Sequence, residues 1–402
     1  MNPLQVAATF TGSPQQMFEQ TSVGSMCSSP NDYLDSPPDA WWDASGVLHM
    51  LVGSEEPYPF TGSSLDSLQL NCSDLLFKEA LNPTYSATDD KQWLTSVYTP
   101  DGSTYYGLVH NEWHGDCTAP SLSGSWAGAI TTAQSSDGGA TFTQPADYQI
   151  RVPPPWSTSS WCTPSGPGPY IGSFGPASNL IYRNGYYYMF FDNIPTVIFA
   201  NAVAMPSWPV FQCVARSATP AAGSSWQVWT GTGWSNSQTT NNCAPIFNNP
   251  QYDGGFDFTM TGSVVYSTYL NEYVAIVTGV SANSSAIRLS PDLMNWSVPI
   301  TLPTIPDQPP APGDIAYLSF LSNSNDPSVS GRNFETIGQD AWLYYVADIN
   351  TNDQAPRILM RLPVQFTITA TTTASTAPNY VNLANAFTAL ESALKALVAQ
   401  FR

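Results

Sequence analysis

Ser178-Asn179-Leu180-Ile181-Tyr182-Arg183-Asn184-Gly185-Tyr186-Tyr187-Tyr188-Met189-Phe190-Phe191 reads as two strands about a tight turn. Aromatic and β-branched side chains flank Asn-Gly, the dipeptide that tolerates the positive φ angles a short hairpin requires. The same unit recurs. Asp39 to Trp42 and Val47 to Val52 flank Asp43-Ala44-Ser45-Gly46, and Trp93 to Thr99 and Thr104 to His110 flank Pro100-Asp101-Gly102-Ser103. Met260 to Thr268 returns as Tyr273 to Val277, and Asn333 to Ile337 returns as Ala341 to Val346. Spacings of roughly 50 to 85 residues leave room for two further strands and a loop in each copy, which predicts an all-β, five-bladed β-propeller over residues 31–368.

Residues 1–30 read as an N-terminal arm, residues 369–380 as a Thr/Ala-rich linker, and residues 381–402 as an amphipathic C-terminal α-helix. In that helix Leu383, Phe387, Leu390, Leu394, Leu397 and Phe401 alternate in steps of four and three. Such a seam either docks on the propeller or joins copies of the chain into a homo-oligomer.

Composition narrows the partners. The chain has 402 residues, of which 10% are charged and 13% aromatic, with 35 Pro and 27 Gly, a balance that suits a loop-rich extracellular β-protein. A net charge of -19 argues against nucleic acid and anionic membrane surfaces, whereas a neutral glycan is compatible. There is no apolar run long enough to span a bilayer, and residues 1–20 lack the pattern of a signal peptide. Six cysteines without zinc-type spacing favour disulfides; of the fifteen pairings, Cys213 with Cys243 is preferred because both flank the outer part of the third blade.

Candidate site residues follow from the hairpin logic. The first strand of a blade starts at the funnel mouth and the second returns to it. Leu108-Val109-His110-Asn111-Glu112-Trp113-His114 then places His110, Glu112 and His114 on one strand face at that rim, with Asn111 and Trp113 on the other. The rule also gives Asp39, Gln92, Trp93, Asn179, Asp192, Asp257, Thr259, Asn333, Glu335 and Asp348. Paired carboxyls across a sugar-sized cleft are what glycoside hydrolysis uses, one protonated and one ionised. Trp41, Trp42, Trp93 and Trp113 offer rings for sugar stacking. Bland readings stand beside these: Asp39 follows two prolines as turn aspartates do, and Glu335 could pair with Arg332. No cofactor is required by this chemistry, although His110 could ligate a structural ion, or its water, on the propeller axis.

Two outer segments support the blades. Ser135-Ser136-Asp137-Gly138-Gly139-Ala140-Thr141-Phe142 looks like the Asp-box turn of sialidase-type propellers, and Ser290-Pro291-Asp292-Leu293-Met294-Asn295-Trp296 resembles an outer hairpin of five-bladed glycosidases. Both are structural devices. Taken together, the pattern resembles the five-bladed glycosidase propellers, such as glycoside hydrolases of families 43, 62 and 32. That resemblance implies Asp39 as base or nucleophile. The family's acid opens the third blade, where Phe174-Gly175-Pro176-Ala177-Ser178 has no carboxylate, so Glu112 takes the acid role here with Glu335 in reserve. The resulting expectation is a secreted hydrolase of a neutral polysaccharide or oligosaccharide, with Asp39 and Glu112 about 5 to 9.5 Å apart. Its substrate contacts would be Trp41, Trp93, His110, Trp113, His114, Asn179, Asp192, Asp257 and Asn333. The alternative is a non-catalytic glycan-binding or surface-assembly propeller.

Overall fold

A computed structural model describes residues 5–20, 26–27, 33–53, 55–78, 91–114, 126–151, 169–170, 173–175, 177–194, 197–198, 211–238, 243–247, 261–278, 285–306, 315–347 and 356–369. The C-terminal helix, Asp257, Thr259, Asp348, Cys117 and Cys162 lie outside them, as do the side chains of Trp113 and His114. Among the described residues no helix is long and apolar enough to cross a membrane.

Five antiparallel sheets form the blades. Blade 1 runs Asp39–Trp42, Leu48–Leu51, Phe60–Gly62 and Gln69–Leu70. Blade 2 runs Lys91–Tyr98, Tyr105–His114, Trp126–Ser135 and Gln149–Arg151. In blade 3 two short segments, Ser173–Phe174 and Ile181–Arg183, share the inner position beside Tyr186–Ile194, and Phe211–Ser217, Gln227–Trp229 and Trp234–Asn236 follow outward. Blade 4 runs Thr261–Ser267, Glu272–Thr278, Ser285–Ser290 and Ile300–Thr301.

Blade 5 corrects one expectation. Its inner strand is Ala316–Ser322, paired with Asp340–Ala347, rather than 333–337. Thr336–Ile337 instead joins blade 4, in parallel with Thr261–Ser267. The third strand, Ile358–Thr369, pairs with Gln15–Glu19 and with Gln5–Phe10, so the two strands read as an arm belong to the sheet of the last blade. The chain forms two compact units, Ala8–Phe366 and Met1–Ala7 with Thr367–Arg402. Within the second unit the Thr369 hydroxyl donates to the Gln5 carbonyl at 3.0 Å.

The core lies between blades. Trp41 and Leu51 of blade 1 pack on Leu94, Val97 and Val109 of blade 2. Leu108 and Ile130 of blade 2 meet Met189 and Phe191 of blade 3. Phe190 and Val214 of blade 3 meet Val264 and Ala275 of blade 4, and Tyr344 and Leu359 of blade 5 meet Ala40 and Met50 of blade 1. Both faces of the blades are therefore covered, which explains why strands such as Asp39–Trp42 are buried throughout instead of alternating with polar residues. Disulfides join Cys213 to Cys243, as expected from sequence, and Cys27 to Cys72.

Turn chemistry fixes the hairpins. Asn184 and Gly185 take φ of 50° and 83°, the left-handed values an Asn-Gly turn supplies. Asp101 accepts the backbone N–H groups of Ser103 and Thr104 at 2.8 and 2.6 Å, and Asp137 accepts that of Thr141 at 2.9 Å. The Thr141 hydroxyl also donates to Asp137, and these bonds hold both exposed carboxyls at about 2. Asp292 likewise accepts from Met294 and Asn295, while the Trp296 indole donates to the Leu293 carbonyl. Both outer motifs thus act as blade pins.

Candidate active site

The two ends of the propeller differ. At one end the blade-1 and blade-2 hairpin turns meet the connection that follows Ser322: Arg332 donates to the carbonyls of Trp42 and Asp43 at 3.1 Å, and Ala44 N–H donates to the Gly102 carbonyl. The opposite end, where inner strands begin and second strands finish, is the mouth.

Asp35 sits at that mouth. Its backbone N–H donates to the Gly53 carbonyl at 3.2 Å, so the blade-1 pairing resumes beyond Pro37 and Pro38, which have no N–H to continue the ladder. The Tyr317 hydroxyl donates to Asp35 Oδ1 at 2.8 Å, and the Arg357 guanidinium donates to the same oxygen. Arg357 also holds the Leu34 carbonyl at 2.8 Å and covers the Tyr33 ring at 5.1 Å. Burial raises the Asp35 carboxyl to about 6, against the lowering effects of Arg357 and Tyr317, and the neighbouring Glu112 charge adds to the rise.

Glu112 comes from the end of the second strand of blade 2. Its Oε1 lies 3.0 Å from His110 Nε2, as strand alternation requires of residues two apart on one face. Lys91 faces Glu112 in register and pairs with Glu55, which also lies 3.5 Å from the Tyr33 hydroxyl. The Glu112 carboxylate is 24% exposed, whereas the His110 side chain is 7% exposed. Burial raises the Tyr33 and Tyr317 hydroxyls, the Asp35 charge adds to the rise, and Glu112 adds least. Three carboxyls, Asp35, Glu55 and Glu112, thus gather with two aromatic hydroxyls, an imidazole and two cations from blades 5, 1 and 2.

No protein-family model matches the chain, and no curated protein sequence matches it. Solved structures do resemble it. A family 117 glycoside hydrolase from Zobellia galactanivorans is 8% identical, with 90% of each chain covered and a TM-score of 0.49. An endo-arabinase from Bacteroides thetaiotaomicron is 10% identical over 85% of this chain and 96% of that one, with a TM-score of 0.44. A protein of unknown function from Dyadobacter fermentans is 10% identical over 84% and 76%, with a TM-score of 0.43.

Asp39 is not at the mouth. Its Oδ2 accepts from the Val97 N–H at 2.8 Å and the Ser96 hydroxyl at 2.9 Å, six residues along the strand from Lys91, or roughly 20 Å. A facing pair of Asp39 and Glu112 is therefore not what the chain builds. Burial raises the Asp39 carboxyl to about 7, and its acidic neighbour is Glu335. Glu335 belongs to the far end too, where its Oε2 accepts the Asn333 N–H at 2.7 Å and burial raises it. Asn333 clamps both backbone groups of Thr99, at 2.8 and 3.0 Å, and Asn179 clamps both of Val264, at 2.8 and 2.9 Å. Their amides thus act as staples on neighbouring backbone.

Trp41 is 1% exposed and stacks on His49 at 5.3 Å inside the blade 1–2 core, so no ring face is open to a sugar. Trp42 lies in the blade 5–1 core. Trp93, also buried, contacts the His110 ring at 5.7 Å. Asp192, two residues before the end of its strand, is buried beneath Gly175, where a Cβ would come within 2.8 Å of the Asp192 Cβ; Gln212 donates to it, and burial raises it well above the usual range. Among the described residues no group of three or more metal-ligating side chains gathers.

Sequence reasoning missed Asp35, Tyr33, Glu55, Lys91, Tyr317 and Arg357. The rim rule puts Glu112 near the end of the second strand of blade 2, Tyr105–His114. Its failure in blade 1 came from starting the strand at Asp39, after the prolines, when the extended pairing begins four residues earlier.

Proposed function

We propose that this chain is a secreted glycoside hydrolase acting on a neutral polysaccharide or oligosaccharide, with Asp35 and Glu112 as its carboxyl pair. The observation that carries the reading is the pair of settings at the mouth, Asp35 held by the Tyr317 hydroxyl and the Arg357 guanidinium and Glu112 partly exposed beside His110. Asp35 is pinned by Arg357 and Tyr317, which favour its ionised form; above pH of about 6 it serves as base or nucleophile. Glu112 is partly exposed and hydrogen-bonded to the His110 imidazole at 3.0 Å, which orients it for protonation of a leaving oxygen.

Cations and carboxylates are matched at this mouth, Lys91 with Glu55 and Arg357 with Asp35, so a polyanionic substrate gains little there. Two disulfides are compatible with an oxidising compartment. The test is hydrolysis of a panel of p-nitrophenyl glycosides and neutral polysaccharides. Glycan binding without cleavage by the wild type would instead support a binding propeller.

A further inference from the structure

Five residues other than glycine take positive φ among the described residues: Asn184, Asn271, Leu293, Tyr317 and Phe334. Four lie in turns or connections. Tyr317, at φ 57°, lies inside a strand, Ala316–Ser322, where a bulky side chain is strained in the left-handed region. The register slips there, with Ala316 opposite Val346 and Ser319 opposite Tyr344, so the strand carries one extra residue.

A bulge alone does not demand this conformation. The inner strands of blades 2 and 4 also slip, between Leu94 and Ser96 and between Thr261 and Val264, and neither uses a left-handed residue. What distinguishes blade 5 is the destination of the side chain. The Tyr317 hydroxyl reaches across the blade seam and donates to Asp35 Oδ1 at 2.8 Å.

We propose that Tyr317 is a positioning residue of the site, and that the left-handed bulge of the blade-5 inner strand serves to deliver its hydroxyl to Asp35. The bond fixes which Asp35 oxygen is engaged and, with Arg357, leaves Oδ2 to face a substrate. The role rests on the reading of Asp35 as the reacting carboxylate, but the contact itself can be tested without substrate. The titratable and charged groups that bear on Asp35 are Arg357, Tyr317, Tyr33 and Glu112. Of these, Tyr317 and Arg357 donate to it, and a donor to a carboxylate favours ionisation.

The experiment titrates Asp35 in the full chain by carboxyl 13C NMR with γ-labelled aspartate, its signal assigned as the one missing in Asp35→Asn. Tyr317→Phe keeps the ring and removes the donor. The Asp35 midpoint should rise by about one pH unit, a tenfold change in its dissociation constant, and the acid limb of the hydrolysis profile should move with it. If Tyr317→Phe does not fold, Tyr317→Gly relieves the left-handed backbone and should give the same rise. An unchanged midpoint in the folded variant overturns the proposal. A raised midpoint in a chain that hydrolyses nothing supports the contact and separately counts against the glycosidase reading.

Discussion

The Asp39 carboxylate accepts the backbone N–H of Val97 at 2.8 Å, which makes it a staple between blades 1 and 2. Burial raises it to about 7 from the usual 3.8, with Glu335 adding to the rise and the Val97 and Ser96 bonds opposing it. A carboxyl raised in the folded state contributes its stability below the unfolded value and loses it as pH climbs through the folded one. The window here runs from about pH 4 to about 7, and the shift of about three units corresponds to at most about 4 kcal/mol. Asp39→Asn keeps an acceptor for both donors but cannot ionise. Urea midpoints at pH 5 and pH 8 should therefore differ less in the variant than in the wild type; equal differences would remove the staple from the pH response.

Asn333→Ala leaves the buried N–H and carbonyl of Thr99 without partners and should lower stability by about 1–3 kcal/mol. Turnover of the folded variant should stay near the wild-type level, because Asn333 lies at the end of the propeller away from Asp35. A large fall in kcat with unchanged stability would return Asn333 to the substrate site.

Reduction tests the outer tie of blade 3. Cys213 and Cys243 are 30 residues apart, and opening that loop by Cys213→Ser with Cys243→Ser should cost about 2–4 kcal/mol. A melting temperature indifferent to the double substitution would show that the bridge contributes nothing to the folded state.

The blade pattern was legible in sequence because tight turns have a chemistry of their own. Asn184-Gly185, Asp101 and Asp137 announce their hairpins by residue type, and the His110–Glu112 bond follows from period-two alternation. Blade 5 was misread because Asn333 to Ile337 carries apolar residues next to a clear hairpin. The pairing that decides its place, with blade 4, lies far away in sequence. Asp35 and Tyr317 were hidden for a related reason. One sits beyond two prolines that interrupt a ladder, and the other is aimed by a bulge whose extra residue has no sequence mark. Asn179 and Asn333 occupy the rim-like positions that polarity suggested, yet their amides satisfy neighbouring backbones.

The proposed hydrolysis rests on Asp35 and Glu112, and not on Asp39 or Glu335. Its most direct test is kcat/KM for Asp35→Asn, Glu112→Gln and Glu335→Gln on the best substrate from the glycoside panel. Losses of about 10²–10⁴-fold are expected for the first two and near wild-type values for Glu335→Gln. Full activity in Asp35→Asn, or an equal loss in Glu335→Gln, would contradict it.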